Sequence, residues 1–340
     1  MHSSECLNDV YPYNGRSRPL RSKGPLFVHA FETVLAIVNP AAQNGKAPTY
    51  AALLEAAYAD GRTPFRSLVV RATQGPGHAR EIAAAAASFD TVLVIGGDGI
   101  VHETAQGLMA IDRAHRPALA LLPCGNGNDY ARTLGMPMRF DDALGALRAG
   151  SRRCVDVGCV NGSIFVQTLS FGFDAAIALG THARRLRTGH TGTRLFLEEG
   201  LNQLLFHRDE YACSIALDGE APVSSAMFLC AVQVGPTYGG GFAICPQADP
   251  FDGSLDYCIA RPPVGLLRAL SIFLKAKNGN HASCGDVLSF GRAKRLRLSF
   301  PLAPPAQIDG EELLCADAYD ISVLPGELDV IFAPGERRRL

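Results

Sequence analysis

Two aspartates sit in glycine-rich turns where phosphate chemistry could use them. Asp98 lies within Gly96-Gly97-Asp98-Gly99, directly after the apolar run Thr91–Ile95 and just before helix formers that begin at Val101. A glycine cluster between a strand and a helix N-terminus lets backbone N–H groups approach a polyphosphate, and the helix dipole favours its negative charge. A carboxylate in such a turn would repel bare phosphate, so Asp98 makes sense beside Mg²⁺ or as a proton acceptor; the bland alternative is a tight turn with an Asx bond. The design recurs. The apolar run Ala118–Leu122 enters Pro123-Cys124-Gly125-Asn126-Gly127-Asn128-Asp129, again followed by a helical stretch. A third apolar run, Val34–Val38, ends in Asn39-Pro40-Ala41-Ala42-Gln43-Asn44-Gly45-Lys46. Three loops gathered at the carboxyl edge of one sheet, carrying Lys46, Asp98 and Asp129, make a nucleotide site the economical reading. The first loop is not a Walker A loop, since Lys46 is followed by Ala47 and preceded by a single glycine, and no G-x-G-x-x-G occurs at these turns.

The elements that must position these residues are legible to about Gly150. Short apolar runs (34–38, 65–71, 91–95, 118–122) alternate with alanine-rich helical stretches (50–59, 78–88, 101–111, 129–134, 141–149), which predicts a parallel sheet covered on both faces. Beyond Gly150 the texture changes to strand-like runs (155–160, 163–169, 211–217, 226–234, 254–260, 295–300, 318–323) separated by Gly, Pro and Asp. Two helical intervals, 193–206 and 264–275, interrupt them. The expectation is an α/β N-terminal domain with a parallel sheet and the GGDG turn, a mainly antiparallel β C-terminal domain, and an active site in the cleft between them. The divisions are a flexible leader over 1–32, a nucleotide-binding domain over 33–150, a β-rich domain over 151–312, and a segment 313–340 packing back on the first domain. Phe165, Leu169, Phe171, Phe173, Ile177 and Leu179 read either as core or as the wall of a lipid cleft.

Composition bounds the partners. The chain has 340 residues, 47% hydrophobic and 19% charged, with a net charge of −1. That suits a two-domain globular protein and supplies no global field toward nucleic acid. Two local basic clusters remain, Arg184, Arg185, Arg187 with Arg194, and Arg292 to Arg297; the former, with Leu186 and then Leu195 to Leu197, could lie against anionic headgroups. No apolar stretch approaches a membrane span, and the leader lacks the apolar centre of a signal peptide. Ten scattered cysteines without a CxxC pair read as reduced thiols. The expected location is the cytoplasm, peripheral to the inner face of the membrane, with a homodimer through an exposed sheet edge as one possibility.

The motifs Asn39-Pro40…Gly45-Lys46, Gly96-Gly97-Asp98-Gly99 with His102-Glu103, and Gly125-Asn126-Gly127-Asn128-Asp129 with Ala131-Arg132 resemble the diacylglycerol kinase catalytic domain family, which includes sphingosine kinases and bacterial soluble lipid kinases. Tyr238-Gly239-Gly240-Gly241, Asp252-Gly253-Ser254-Leu255-Asp256, Gly279-Asn280-His281 and Ile308-Asp309-Gly310-Glu311 extend the resemblance over roughly 33–330. It implies an ATP-dependent kinase acting on a diacylglycerol-like or sphingoid-like lipid. It implies that Asn39, Pro40, Ala41, Ala42, Gln43, Lys46 and Thr73 contact ATP. Gly96, Gly97, Gly99, Ile100, Val101, His102 and Glu103 would cradle its phosphates with Gly125 and Asn126. Asp98 and Asp129 would organise the catalytic Mg²⁺, and the catalytic set is completed by Asp309 and Glu311. The proton acceptor is Glu311 by likeness to the bacterial members and Asp98 by likeness to the sphingosine kinases. A structural Mg²⁺ would use Asp252 with main-chain oxygens near Asp249 and Ser254.

Two positions depart from the family pattern: Ile100 and Asn126 each stand where a threonine is usual. They leave open a catalytically degenerate nucleotide- or lipid-binding regulator, and the GGDG turn alone would also suit a kinase of NAD. A second Asp-Gly-Glu triplet, Asp218-Gly219-Glu220, reads as a hairpin turn, although nothing in its residue types separates it from Asp309–Glu311.

Overall fold

The computed structural model describes residues 31–189, 193–207 and 209–333. The leader up to residue 30 and the arginines 337–339 lie outside it, as does the side chain of Arg194.

In chain order the first half runs β1 (Phe31–Val38), α1 (Ala47–Ala59), β2 (Phe65–Ala72), α2 (His78–Ala84), β3 (Thr91–Gly96), α3 (Asp98–Met109), β4 (Ala118–Pro123), α4 (Asp129–Thr133) and α5 (Phe140–Ala149). β1 pairs in parallel with β2 and β3, and β3 with β4. β3 and β4 are buried throughout, as their unbroken apolar runs require when helices cover both faces. A parallel sheet brings all its strand ends to one edge, so the loops after β1, β2, β3 and β4 open together.

The second half runs β5 (Ser151–Val160), β6 (Ser163–Phe165), β7 (Thr168–Gly172), α6 (Phe173–Thr188), α7 (Thr193–Phe206), β8 (Tyr211–Leu217), β9 (Val223–Met227), β10 (Leu229–Gln233), β11 (Leu255–Ala260), α8 (Leu266–Ala276), β12 (Leu288–Ala293), β13 (Arg295–Ser299), β14 (Ala306–Ile308), β15 (Glu311–Glu312) and β16 (Ala318–Phe332). One antiparallel sheet has the order β12-β11-β10-β7-β14-β15. The other strands extend the parallel sheet, in the order β2-β1-β3-β4-β16-β13-β8-β9, with β5 on β16 and β6 on β5. The fifteen-residue β16 is the joint: it pairs antiparallel with β13 and β5, shifts register between Leu324 and Leu328, and meets β4 in parallel at Val330 opposite Leu119.

Three apolar cores follow. One fills the α/β half, and one lies between the two sheets around Phe165, Phe171, Leu298 and Tyr319. The third lies under α6, α7 and α8 on the outer face of the second sheet. The segment 173–188, for which no helix was expected, forms the helix α6, with Phe173 and Ile177 in the core. Phe173, Ile177 and Thr181 recur every four residues on its buried face, and Gly189, at φ 69°, caps its end. Nine cysteines among the described residues are free. No helix among the described residues is long and apolar enough to cross a membrane.

Candidate active site

A cleft of about 890 Å³ opens where the four strand-end loops face the second half. The first half supplies Asn39 to Gln43, Thr73, the 97–100 turn with Glu103, and the 125–130 loop. The second half supplies 166–168, α6, the 238–240 turn and the 307–311 hairpin.

Its floor is two turns in backbone contact. A methyl group on Gly97 would stand 2.9 Å from Gly125 Cα, and one on Gly125 only 2.3 Å from Gly97 Cα, so neither position admits a side chain. Asn128 closes its loop by accepting from Gly125 N–H and donating to Gly125 O, both at 2.8 Å, and Gln43 Nε2 donates to the same oxygen at 2.8 Å. Asn39 Oδ1 accepts from Ala41 N–H at 3.0 Å, shaping the first loop. Glu103 Oε2 accepts from Ala79 N–H at 3.2 Å and ties α3 to the first turn of α2.

On this floor two carboxylates converge. A Cβ on Gly127 would lie 2.7 Å from Asp98 Oδ2 and 3.2 Å from Asp129 Oδ2, so the missing side chain leaves both oxygens facing one small space. Asp98 Oδ1 accepts from Tyr130 N–H at 3.1 Å, while Asp129 accepts from Gly240 N–H at 2.7 Å and Gly241 N–H at 2.8 Å. Burial, then the neighbouring Asp129 charge, pushes the Asp98 carboxyl up to about 7. Burial also raises Asp129, against the pull of the two glycine N–H groups. Two carboxylates that each destabilise the other's charge fit a divalent cation held jointly with phosphate oxygens, the usual mode for Mg²⁺.

Glu311 faces them from the other half. It is exposed on β15, and its Oε1 lies 3.6 Å from where a Cβ on Gly99 would stand. Asp309, two residues earlier, belongs to a different network: its carboxylate accepts from Val166, Gln167 and Thr168 N–H at 2.8, 3.0 and 2.8 Å, and His102 Nδ1 lies at 2.8 Å. With four donors around two oxygens, it is a structural anchor rather than a group open to substrate.

Among the expected nucleotide contacts, Lys46, Gly96, Val101 and His102 do not line the cleft. Lys46 is exposed at the start of α1, Val101 is in the core, and His102 is turned toward Asp309. Ile100 is buried against Gly96, where a Cβ would meet its Cγ2 at 2.4 Å. The cleft wall also contains Arg185 and Tyr238, from the basic cluster and the second glycine-rich turn, and Gln167, Thr181, His182 and Gln307, whose spacing in sequence gave no signal.

The basic clusters are split by the fold. Arg184 pairs with Glu199 at 3.4 Å and Arg185 faces the cleft; Arg297 pairs with Asp320 at 3.0 Å. At the Asp252-Gly253 turn, Arg292 bonds both Asp252 and Asp256 at 3.3 Å, and Asp252 Oδ1 is spent on Ser254 N–H at 3.0 Å. Among the described residues no three His, Cys, Asp or Glu side chains gather as a metal site. At the turn where a structural Mg²⁺ was expected on Asp252 with main-chain oxygens near Asp249 and Ser254, Arg292 already balances the Asp252 charge. Asp218 Oδ1 accepts from Lys294 and Arg295 N–H, both at 2.8 Å, in the β8–β9 hairpin turn.

Residues 33–160 match the family model described as diacylglycerol kinase catalytic domain, and residues 167–332 match one described as YegS C-terminal NAD kinase beta sandwich-like domain. A Pseudomonas aeruginosa protein named "Probable lipid kinase YegS-like" is 32% identical over 290 residues, 83% of this chain and 90% of the relative. The chain belongs to the diacylglycerol kinase and YegS-like lipid kinase family. As a member it is a lipid kinase, a phosphotransferase. A Mycobacterium tuberculosis diacylglycerol kinase is 30% identical over 91% of this chain and 98% of its own length. Among solved structures, a diacylglycerol kinase from Bacillus anthracis superposes with a TM-score of 0.73 at 26% identity, covering 90% of this chain and 98% of that one. An NAD kinase from Archaeoglobus fulgidus, at 0.50 and 12%, shares the fold.

Proposed function

We propose that this lipid kinase transfers the γ-phosphate of MgATP to a hydroxyl of a diacylglycerol-like or sphingoid-like lipid. The observation that carries the reading is the convergence of Asp98 and Asp129 over Gly127, on a floor of strand-end loops, with Glu311 opposite. Mg²⁺ held there with the nucleotide would neutralise charge on the phosphates. The 97–100 turn presents backbone N–H groups at the start of α3, where the helix dipole favours phosphate. Arg185, from α6, adds a positive charge to the wall. Glu311 takes the acceptor hydroxyl's proton as its oxygen bonds to the γ-phosphorus and the bond to the β,γ-bridging oxygen breaks, releasing ADP, because Asp98 and Asp129 are committed to the cation.

An apolar cavity of about 60 Å³ beneath α6, α7 and α8 shares Phe196 and Tyr238 with the cleft, which supports an acyl or alkyl chain approaching from that side. On the outside of the same helices Leu205, Phe206 and Leu267 are exposed at 55, 72 and 81%, which supports peripheral contact with a lipid surface.

The reading is tested by following labelled γ-phosphate into a panel of lipids in mixed micelles with Mg²⁺. Asp98→Asn and Glu311→Gln are each expected to lower transfer by at least about a hundredfold while leaving the melting temperature intact. Labelling of no lipid, with ATP still bound, would instead favour a nucleotide-binding regulator in which Ile100 has displaced a phosphate-side hydroxyl. Ile100→Thr would then be expected to restore transfer.

A further inference from the structure

Helix α3 serves two places at once. Asp98, its first residue, faces the cleft, and His102, one turn further along the same side, faces Asp309. The pair is dry: the side chains of His102 and Asp309 are 6% and 3% exposed. All three backbone partners of Asp309 are N–H donors from 166–168, so its fourth neighbour, His102 Nδ1, must donate as well. His102 Nε2 lies 2.8 Å from Gln106 Nε2, so that end of the ring is held within α3 itself. Burial lowers the affinity of His102 for a proton, but the Asp309 hydrogen bond and charge outweigh it and the net shift is upward.

What this carboxylate joins gives the pair its meaning. Residues 166–168 are the crossing between β6, in the large sheet, and β7, in the second sheet. Asp309 itself begins the tight turn between β14 and β15, with φ 49° followed by 96° at Gly310, and its N–H donates to Thr168 O at 2.8 Å. Gly310 N–H is held by Gln307 Oε1 at 2.7 Å. The hairpin is thus fixed firmly to the second half, and the His102 bond ties it to α3. Glu311 leaves the hairpin two residues later, beside Gly99 on the first turn of that helix.

We propose that His102 is a positioning residue: by donating Nδ1–H to Asp309 it holds the 309–311 hairpin, and hence the Glu311 carboxylate, in register with Asp98 across the cleft. The inference rests on the proposed role of Glu311. A buried ion pair or charged hydrogen bond adds little net stability compared with apolar packing of the same volume, so its value here lies in fixing geometry.

The test uses the full chain and three variants, His102→Ala, His102→Asn and Glu311→Gln. Asn places an N–H donor near the position of Nδ1 without an imidazole. Transfer is followed with MgATP and a short-chain diacylglycerol in detergent mixed micelles, ATP affinity by a fluorescent analogue, and amide exchange of 166–168 and 307–312 by mass spectrometry. His102→Ala is expected to lower kcat about tenfold or more, the scale of one hydrogen bond to a charged group. Its ATP affinity stays unchanged and exchange in the hairpin accelerates, while His102→Asn restores both. Unchanged kcat and unchanged exchange in His102→Ala would overturn the proposal. So would His102→Asn behaving like His102→Ala in both readouts. If His102→Ala does not fold, His102→Met, which fills the volume without a donor, takes its place with the same expectations. Full transfer by Glu311→Gln would defeat the role given to Glu311, and the exchange data would still decide whether His102 holds the hairpin.

Discussion

Asp174 opens α6 with its Oδ2 buried, without a hydrogen-bond partner, in the wall of the apolar cavity beneath the three helices. Burial pushes this carboxyl from 3.8 to about 7, against a bond from Ser170 that pulls the other way. Folding therefore favours the protonated form. The stability it allows is fully present below the unfolded value and is lost as pH rises through the folded one. Asp174→Asn is expected to leave the melting temperature unchanged near pH 4 and to raise it by several degrees near pH 8.5, which thermal melts across pH would show. Flanking glycines made Asp98 and Asp129 stand out in the sequence as residues of a nucleotide site. Partner choice was not legible. Asp218-Gly219 and Asp309-Gly310 are the same dipeptide in the same left-handed turn conformation, at φ 49° and 87° against 49° and 96°. They differ only in what folds up beside them: two backbone N–H groups at the β12–β13 junction in one case, the domain crossing and His102 in the other.

At the level of elements, the cleft floor depends on two turns pressed together without side chains. Gly125→Ala forces its methyl into Gly97 Cα and into Asn128 Oδ1, which would lie 2.3 and 2.7 Å away. Backbone on one side and a bonded amide on the other leave little room to yield. We expect ATP affinity, measured by displacement of a fluorescent analogue, to fall by more than about tenfold, in line with an overpacking cost of about 1–3 kcal/mol at the binding loop itself. The strand-turn-helix units built on β1, β3 and β4 were readable because each apolar run is continuous and leads into a turn that contains glycine. Helix α6 was not, because its apolar positions are thinned by Ala, Gly and Thr and its far end is rich in arginine. Its four-residue spacing and the capping Gly189 were the available signal. The short β14 and β15 carry too few residues for any alternation to register.

Over the whole molecule, the α/β and antiparallel texture was visible on either side of Gly150, but the extension of one sheet through both halves was not, since pairing between distant strands leaves no mark on local pattern. β16 lies between β4 and β13 and runs along most of β5. A fragment of residues 31–160 would leave the buried edge of β4 and the inner face of β5, with Val155 and Val157, unpaired or exposed. Such a fragment is expected to show no cooperative transition by calorimetry, whereas the full chain melts cooperatively. The same strand sets a timetable for the protein's birth. Synthesis runs from the first residue onward, so the loops that would grip a nucleotide emerge from the ribosome long before residue 332 arrives to close their sheet. Until then the edge of β4 is an open template for pairing with a neighbouring nascent chain, and chaperone capture of that interval would govern how much active kinase a cell obtains.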